Sequence, residues 1–156
     1  MGIAMEISEA DKRLLRQLQK NSHISNQELA EIAGMSPSAC WRRVKAFEEE
    51  GLIAEYPAVL DTAKAGFQFE AIVHVSLARH ELTPVEAFIE KVASRPEVVE
   101  CFSTTGEADY HLRVVCRDKE AYNQFLEEFM FKLPGIAHVR TNLVLKVIKL
   151  TNQLPL

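Results

Sequence analysis

One short segment of the chain carries positive charge with no negative charge beside it. Between Ser36 and Phe47 there are three basic residues and no acidic one, whereas residues 48–50 are all glutamate. Arginine and lysine side chains contact phosphates and base edges when they project from the first turns of a helix in the major groove of DNA. The segment is therefore a candidate contact surface, provided that a helix brings its basic side chains together.

The surrounding residues predict such a helix. Ser36 followed by Pro37 is an N-cap with a first-turn proline, which is a typical start of a helix. Three apolar residues at helical spacing are expected to pack inward: Cys40, Val44 and Phe47. At about 100° per residue, the outward face then holds Ser38, Arg42 and Lys45, flanked by Trp41 and Arg43. The positive charge thus lies near the N-terminus of the exposed face.

A second capped helix is predicted just before this one. Ser25 and Glu28 form a capping box, and Gly34 is suited to the left-handed conformation that ends helices. The residues at core-facing spacing are Leu29, Ile32 and Ala33. Two capped helices joined by a short turn are typical of helix-turn-helix DNA-binding domains. The same pair also occurs in proteins that never bind DNA, so the pattern alone leaves both interpretations open.

The remaining residues before position 68 complete a small domain. Ser8 and Asp11 cap a first helix, whose apolar residues are Leu14, Leu15 and Leu18. The segment Leu52–Leu60 is rich in strand formers and lies where the wing of a winged helix-turn-helix would be. The following segment, Asp61–Gly66, has little apolar content and is typical of a linker. We therefore predict a DNA-binding domain over residues 1–60 and a linker over 61–67.

Beyond the linker, the pattern predicts strands alternating with helices. The predicted elements are a strand over 71–77, a helix over 84–92, strands over 98–105 and 109–116, a helix over 118–129 and a strand over 139–150. This order is that of a ferredoxin-like βαββαβ domain, with both helices on one face of an antiparallel sheet. The chain is therefore predicted to be α+β, with the ferredoxin-like domain over residues 68–156.

The predicted strands carry apolar residues on both faces. Because the helices cover one face only, we expect the open face to be buried as well, most simply against another copy of the chain. The candidates for that surface are Val99, Cys101 and Val144. The sequence thus indicates a homo-oligomer.

Charge limits the ways in which the chain can bind nucleic acid. The 156 residues have a formal net charge of −4, and residues 1–60 alone contain seven basic and nine acidic residues. This balance excludes a protein that coats nucleic acid by bulk charge, but a site-specific binder with a small basic patch is allowed. Binding would depend on where the patch is placed and on its doubling by dimerisation.

No feature of the sequence indicates a membrane protein or an enzyme. No apolar run approaches the roughly twenty residues of a membrane span, and no signal-peptide pattern begins the chain, so we expect a cytoplasmic protein. The cysteines Cys40, Cys101 and Cys116 are widely spaced, without metal-ligand spacing, and are interpreted as small apolar core residues. The five histidines are scattered, and no set of serine, histidine and aspartate suggests a nucleophile. We expect no catalytic residue, no metal and no cofactor.

Taken together, the two halves resemble the Lrp/AsnC family, the leucine-responsive and asparagine-responsive transcriptional regulators. The N-terminal residues that carry the resemblance are Ile24–Ala30, Met35–Lys45 and Leu52–Tyr56. The C-terminal ones are Thr105–Leu112, Leu133–Ile136 and Val144–Lys149. Each string alone is weak, but their order and spacing over essentially the whole chain are specific.

The resemblance implies a DNA-binding domain joined to a ligand-sensing domain, with dimers that assemble further, often to octamers. It also implies that a small molecule, typically an amino acid, binds between dimers. The loop matched to that pocket comprises Thr105, Gly106, Glu107, Ala108, Asp109 and Tyr110. Glycine lets a backbone approach a ligand, and Asp109 could pair with an ammonium group. The alternative is a plain hairpin turn. His111 departs from the apolar residue that is usual in the family, which could mean an altered pocket or only a substitution that faces away from it.

The sequence therefore predicts a homo-oligomeric regulator that binds double-stranded DNA and an amino-acid effector. The predicted DNA-binding residues are Ser36, Pro37, Ser38, Trp41, Arg42, Arg43 and Lys45, with Arg43 assigned to phosphates. Trp41 lies at a position that varies among relatives, so the base sequence that is recognised does not follow from the resemblance. Two alternatives are a stand-alone amino-acid-sensing protein and a small-molecule enzyme.

Overall fold

The computed structural model describes residues 6–78 and 83–156. The chain divides into two compact units, the first formed by Met1–Ala58 with Lys149–Leu156 and the second by Val59–Ile148. Within the described ranges, no helix is long and apolar enough to cross a membrane.

The first unit contains three helices, α1 (Glu9–Lys20), α2 (Asn26–Ala33) and α3 (Pro37–Glu49). Their predicted starts are confirmed, because Ser8 and Ser25 each form a capping box and Ser36 accepts a hydrogen bond from the amide of Ala39. Gly34 ends α2 in the left-handed conformation, with φ of +72°. The local signals in the sequence thus fix the three helices and the tight turn between α2 and α3.

Apolar residues from all three helices form the core of this unit: Leu14, Leu15, Leu29, Ala30, Ala33, Cys40 and Phe47. The prediction that Ile32 faces this core was wrong, since 47% of it is exposed. Ala30 occupies the core instead, because an eight-residue helix buries only a narrow stripe between α1 and α3. Val44 is half-buried beside the core.

The predicted wing strand over Leu52–Leu60 is not observed. In the described chain, residues 52–60 have no strand assignment, and Val59 and Leu60 are 89% and 73% exposed. Strand-forming residues need a neighbouring strand to complete a ladder of hydrogen bonds, and this segment pairs with none within the described ranges. Its start is held by a hydrogen bond from the Ile53 amide to the Phe47 carbonyl at 3.0 Å, and its middle by one from the Tyr56 hydroxyl to Glu48 at 2.9 Å.

The last eight residues belong to the first unit, although the sequence predicts that the second domain extends to Leu156. The side chain of Gln19 on α1 accepts a hydrogen bond from the Leu154 amide at 2.5 Å and donates one to the Leu154 carbonyl at 3.3 Å. Arg16 donates to the main-chain oxygen of Leu156, whose side chain packs against the helical core. This tail therefore lies along α1.

The second unit contains six main elements in the predicted order. They are β1 (Phe69–Leu77), α4 (Thr83–Ala93), β2 (Val98–Ser103), β3 (Tyr110–Cys116), α5 (Lys119–Glu128) and β4 (Ile136–Leu143), with a short 3-10 helix at Met130–Lys132. The antiparallel sheet has the order β2-β3-β1-β4, which confirms the ferredoxin-like α+β fold. The last strand ends at Leu143 rather than at Leu150.

The two faces of the sheet differ in chemistry. Ala71, Val73 and Val75 of β1 are fully buried with Phe88 of α4 on the helix-covered face. The open face instead carries charged and polar side chains, among them Glu70, His74, Glu100, His111, Arg113 and Arg140. The expectation of apolar residues on both faces is met only in part, because Ile72, Phe102 and Val115 share the open face with these groups, while the alternation of each strand assigns most apolar residues to the helix side.

The residues that were predicted for the open face do not all lie on it: Val144 lies opposite Glu70 in continuation of the Ala71–Leu143 pairing and so shares that face, whereas Cys101 does not. Cys101 pairs with Leu112 and so shares the helix-covered face, where it is exposed at the edge strand. Val99 lies at an irregularity of the β2–β3 ladder and is 50% exposed. Val144 follows β4 and donates its amide to Glu70. An ion-paired Arg113, 2.6 Å from Glu70 and 3.1 Å from Glu100, occupies the centre of the open face.

Candidate functional site

The outward face of α3 forms the first candidate site. Its predicted residues Ser36, Pro37, Ser38, Trp41, Arg42 and Lys45 are all exposed, and 56% of Trp41 is accessible. Pro37, Ser38, Trp41 and Arg42 line one shallow surface depression. The structure thus brings together an aromatic ring, a cation and hydroxyl groups within about one turn of the helix N-terminus, as base and phosphate contacts require.

Asn26 is a further residue of this surface that the sequence pattern did not indicate. It lies in the same depression and donates its amide to the Pro37 carbonyl at 2.8 Å. Through this bond, the first turn of α2 is fixed against the first turn of α3. Apolar periodicity could not reveal it, because Asn26 belongs to the preceding helix and its role depends on how the two helices cross.

Arg43 does not belong to the exposed contact surface, contrary to the prediction that it contacts phosphates. Its Nε donates to Asp11 at 2.7 Å, and a terminal nitrogen donates to the other carboxylate oxygen at 2.9 Å. The guanidinium also lies 4.7 Å from the centre of the Phe47 ring. Asp11 is 3% exposed, so this bidentate pair holds α3 against α1. Arg43 therefore has a structural role in the folded domain.

The Asp11 carboxylate is strongly stabilised in its charged form. The hydrogen bonds from Arg43, reinforced by Ser8 and opposed by burial, lower the pKa of Asp11 from its ordinary value of 3.8 to about 2. The helix-turn-helix thus depends on an ionised acid in its interior, and it keeps that acid ionised throughout the neutral range.

The two remaining cations of α3 differ in whether a carboxylate pairs with them. Lys45 lies 2.5 Å from Glu48, one turn along the same helix. Arg42 is exposed and has no ion pair within the described ranges. A guanidinium that no carboxylate neutralises can donate two parallel hydrogen bonds to a guanine edge or a phosphate. Arg42 is thus the side chain on this face with the greatest capacity to bind DNA.

The second candidate site is the hairpin between β2 and β3. Thr105, Gly106 and Glu107 are exposed at its tip, and Gly106 has φ of +126°, a conformation that L side chains rarely adopt. Ala108 and Tyr110 are 7% and 8% exposed. The six predicted effector residues therefore separate into an exposed tip and a buried base.

The base of the hairpin is fixed to β1 by Asp109. Its carboxylate accepts a hydrogen bond from the Leu77 amide at 2.7 Å, and its own amide donates to Val75 at 3.0 Å. The Thr104 amide donates to the Asp109 carbonyl at 3.0 Å, which closes the loop. Asp109 thus positions the loop, and one carboxylate oxygen already has a partner.

Tyr110 and His111 point to opposite faces of the sheet. The Tyr110 ring packs 4.8 Å from Phe88 in the core under the helices. The ring of His111 lies on the open face, 4.6 Å from that of His74. Burial, together with the His111 and Arg140 charges, lowers the pKa of His74. The unusual His111 therefore belongs to the open face and lies on the side opposite to Tyr110.

The described residues contain no cluster of three or more histidine, cysteine or acidic side chains that could hold a metal ion. Cys40, Cys101 and Cys116 are free thiols, of which Cys101 is exposed. Burial raises the pKa of the Cys116 thiol to about 11, so this group is neutral and unreactive at physiological pH.

Comparisons with known proteins cover both units. Residues 7–54 match the family of winged helix-turn-helix DNA-binding domains, and residues 70–154 match the Lrp/AsnC ligand binding domain. The transcriptional regulator AzlB of Bacillus subtilis is 35% identical, over 100% of this chain and 98% of its own. The leucine-responsive regulatory protein of Escherichia coli is 33% identical, over 96% and 91%.

A solved structure shows the same similarity in three dimensions. It is the complex of a Neisseria meningitidis transcriptional regulator with L-methionine, which superposes with a TM-score of 0.92. The two sequences are 33% identical, and the match covers 96% of this chain and 97% of the other. Both units of the chain therefore have counterparts in one regulator.

Proposed function

The chain belongs to the Lrp/AsnC family of DNA-binding, effector-responsive transcriptional regulators, and we propose that its effector is an amino acid. It is a regulator and not an enzyme. The observation that carries the DNA-binding role is the exposed N-terminal half of α3, where Arg42 and Trp41 project without a protein partner for the guanidinium in the described ranges.

In this proposal, Ser38, Trp41, Arg42 and Lys45 contact bases or the adjacent backbone, and Ser36 and Pro37 bring the start of α3 to the DNA. The N-terminus of α3 carries a partial positive charge, which favours an approaching phosphate. Asn26 keeps this end of α3 in place by its 2.8 Å bond to Pro37.

The amino-acid effector is supported by the Neisseria relative, which was crystallised with L-methionine. In the hairpin, the exposed Thr105–Glu107 tip offers main-chain amides to a carboxylate, since Gly106 has no side chain to cover them. The second oxygen of Asp109 is available to an ammonium group, because the Leu77 amide occupies the first. We propose Thr105, Gly106, Glu107 and Asp109 as effector contacts, with Ala108 and Tyr110 as the support beneath them.

We propose that the chain acts as a homodimer that assembles further, as the family resemblance implies. Residues 1–60 have a net charge of −2, so one α3 helix gives little long-range attraction to DNA. Two α3 helices in successive major grooves, about one helical turn apart, would double the local contacts on a pseudo-palindromic site.

Fluorescence anisotropy tests the proposal. The full-length protein is titrated onto a genomic fragment recovered by selection and onto a scrambled duplex of the same composition, with and without pooled amino acids. We expect preference for the selected fragment and a shift of its affinity by the pool. Equal binding to both duplexes would contradict specific recognition, and an affinity that the pool leaves unchanged would contradict an amino-acid effector.

A further inference from the structure

A cavity of about 460 Å³ lies in the second unit at the end of the sheet opposite to the hairpin. Residues 95–97 enter it just before β2 begins, and Cys116 and Arg117 enter it where β3 ends. One side of α5 forms the remaining wall. The volume lies within the range of small-molecule sites, which is roughly 300–1,000 Å³.

The wall of the cavity contains an ion pair that leaves polar atoms unused. Arg95 donates to one oxygen of Glu97 at 2.8 Å. Within the described ranges, the Arg95 Nε and the second oxygen of Glu97 have no hydrogen-bond partner. Buried polar groups without a partner are destabilising, so a ligand that pairs them gains binding energy. Both side chains are about one-third exposed, which leaves room for rotation toward the cavity.

Aromatic rings hold the arginine in place. The Arg95 guanidinium lies 4.6 Å from the centre of the Phe129 ring and 5.8 Å from that of Phe125. Stacking of this kind fixes a planar cation without consuming its hydrogen-bond donors. Arg95 is therefore positioned as a donor for a carboxylate.

The rest of the lining is divided between apolar and charged groups. Phe67 and Phe125 supply an apolar surface, and the neutral Cys116 thiol extends it. Arg117 and Glu128 add one charge of each sign at the rim. A ligand that matches this lining has a carboxylate, an ammonium group and an apolar side chain.

We propose that this cavity is a second binding site for a free α-amino acid with an apolar side chain. Arg95 binds the carboxylate, Glu97 binds the ammonium group, and Phe67 and Phe125 contact the side chain. The site is separate from the hairpin, because β2 and β3 each run the full length between the two. The inference does not depend on the hairpin proposal, and each site can be removed without changing the other.

Equilibrium dialysis with radiolabelled L-leucine, L-methionine and L-phenylalanine, each alone, measures how many molecules the full-length protein binds. Ala121→Phe on α5 fills the cavity, and Asn123→Phe is the matched control, since Asn123 is exposed on the same helix and does not line it. Glu97→Gln keeps the size of the side chain and removes its charge. Asp109→Asn reports on the hairpin.

We expect at least one of the three amino acids to occupy the cavity, in addition to any hairpin site, in the wild type and in Asn123→Phe. Ala121→Phe should bind one fewer amino-acid molecule per chain, and Glu97→Gln should weaken binding at the cavity at least tenfold. 4-Methylpentanoate, which is L-leucine without its ammonium group, should not compete at the cavity. Unchanged binding in folded Ala121→Phe and Glu97→Gln would overturn the cavity site. Loss of binding in Asp109→Asn alone would then leave the hairpin proposal intact.

Discussion

The outward face of α3 and the β2–β3 hairpin differ in what their polar groups do before any ligand is present. On α3, Arg42 is exposed without an ion pair in the described ranges, and Trp41 is 56% accessible. In the hairpin, Asp109 already holds the Leu77 amide, and Glu107 lies 3.6 Å from Arg140. The surface that we propose to bind DNA keeps the Arg42 donors free, whereas the loop that we propose to bind the effector is first fixed to its own sheet.

The largest effect that we predict separates the two arginines of α3. Arg43→Ala removes one partner of a pair whose carboxylate is buried, which should lower the free energy of unfolding by about 3 kcal/mol. Arg42→Ala should change it by less than about 0.5 kcal/mol, because that side chain is exposed. Urea denaturation of both variants measures the difference. Equal stabilities would contradict the structural role of Arg43.

The same pair predicts a pH dependence. The pKa of Asp11 is about 2 in the folded protein and ordinarily 3.8. Its contribution to the free energy of unfolding is therefore complete above about pH 5 and is lost as the pH falls toward 2. The shift corresponds to about 2 kcal/mol. The stability difference between the wild type and Asp11→Asn should shrink by this amount over that interval. A constant difference would show that Asp11 is not stabilised as an anion.

The expected effect on DNA binding is smaller than, or equal to, these effects on stability. If Arg42 donates two hydrogen bonds to a base, Arg42→Ala should weaken specific DNA binding by about 1–3 kcal/mol and relax the preference at one base pair. Lys45→Ala should cost less, since Glu48 already lies 2.5 Å from that ammonium. Anisotropy titrations on the selected fragment measure both. A larger loss for Lys45→Ala than for Arg42→Ala would reverse the assignment.

The smallest effect concerns the backbone of the hairpin. Gly106 has φ of +126°, so Gly106→Ala should cost about 1 kcal/mol of stability, although no atom lies within 4 Å of the added methyl group. Thr105→Ala is the control, because Thr105 is exposed beside it. Thermal unfolding of the two variants compares them. Equal midpoints would show that the loop relaxes without strain.

The first unit was the easier to predict from the sequence. Helix caps and apolar spacing are local signals, and they fixed the starts of all three helices and the outward face of α3. These signals did not reveal the ion pair of Arg43, because its partner, Asp11, lies on another helix 32 residues away. They also did not predict the exposure of Ile32, because the packing of three helices, rather than periodicity, decides which stripe of a short helix is buried.

The second unit shows the same limit for strands. The order of elements predicted the ferredoxin-like topology, but the end of the last strand depends on where its antiparallel neighbour β1 begins. The hydrogen bond from the Leu77 amide to the Asp109 carboxylate likewise depends on strand pairing, and no local sequence motif predicts it. The cavity near Arg95 joins segments that are distant in sequence, so no spacing of residues could have indicated it.

We propose that α3 recognises DNA and that the β2–β3 hairpin responds to the effector, so that the two tasks depend on different residues. One titration tests this directly. Wild type, Arg42→Ala and Asp109→Asn are titrated onto the selected fragment with and without pooled amino acids. Arg42→Ala should bind more weakly and keep the wild-type shift, whereas Asp109→Asn should bind as the wild type does and lose the shift. An Arg42→Ala variant with unchanged affinity, or an Asp109→Asn variant that keeps the full shift, would contradict the account.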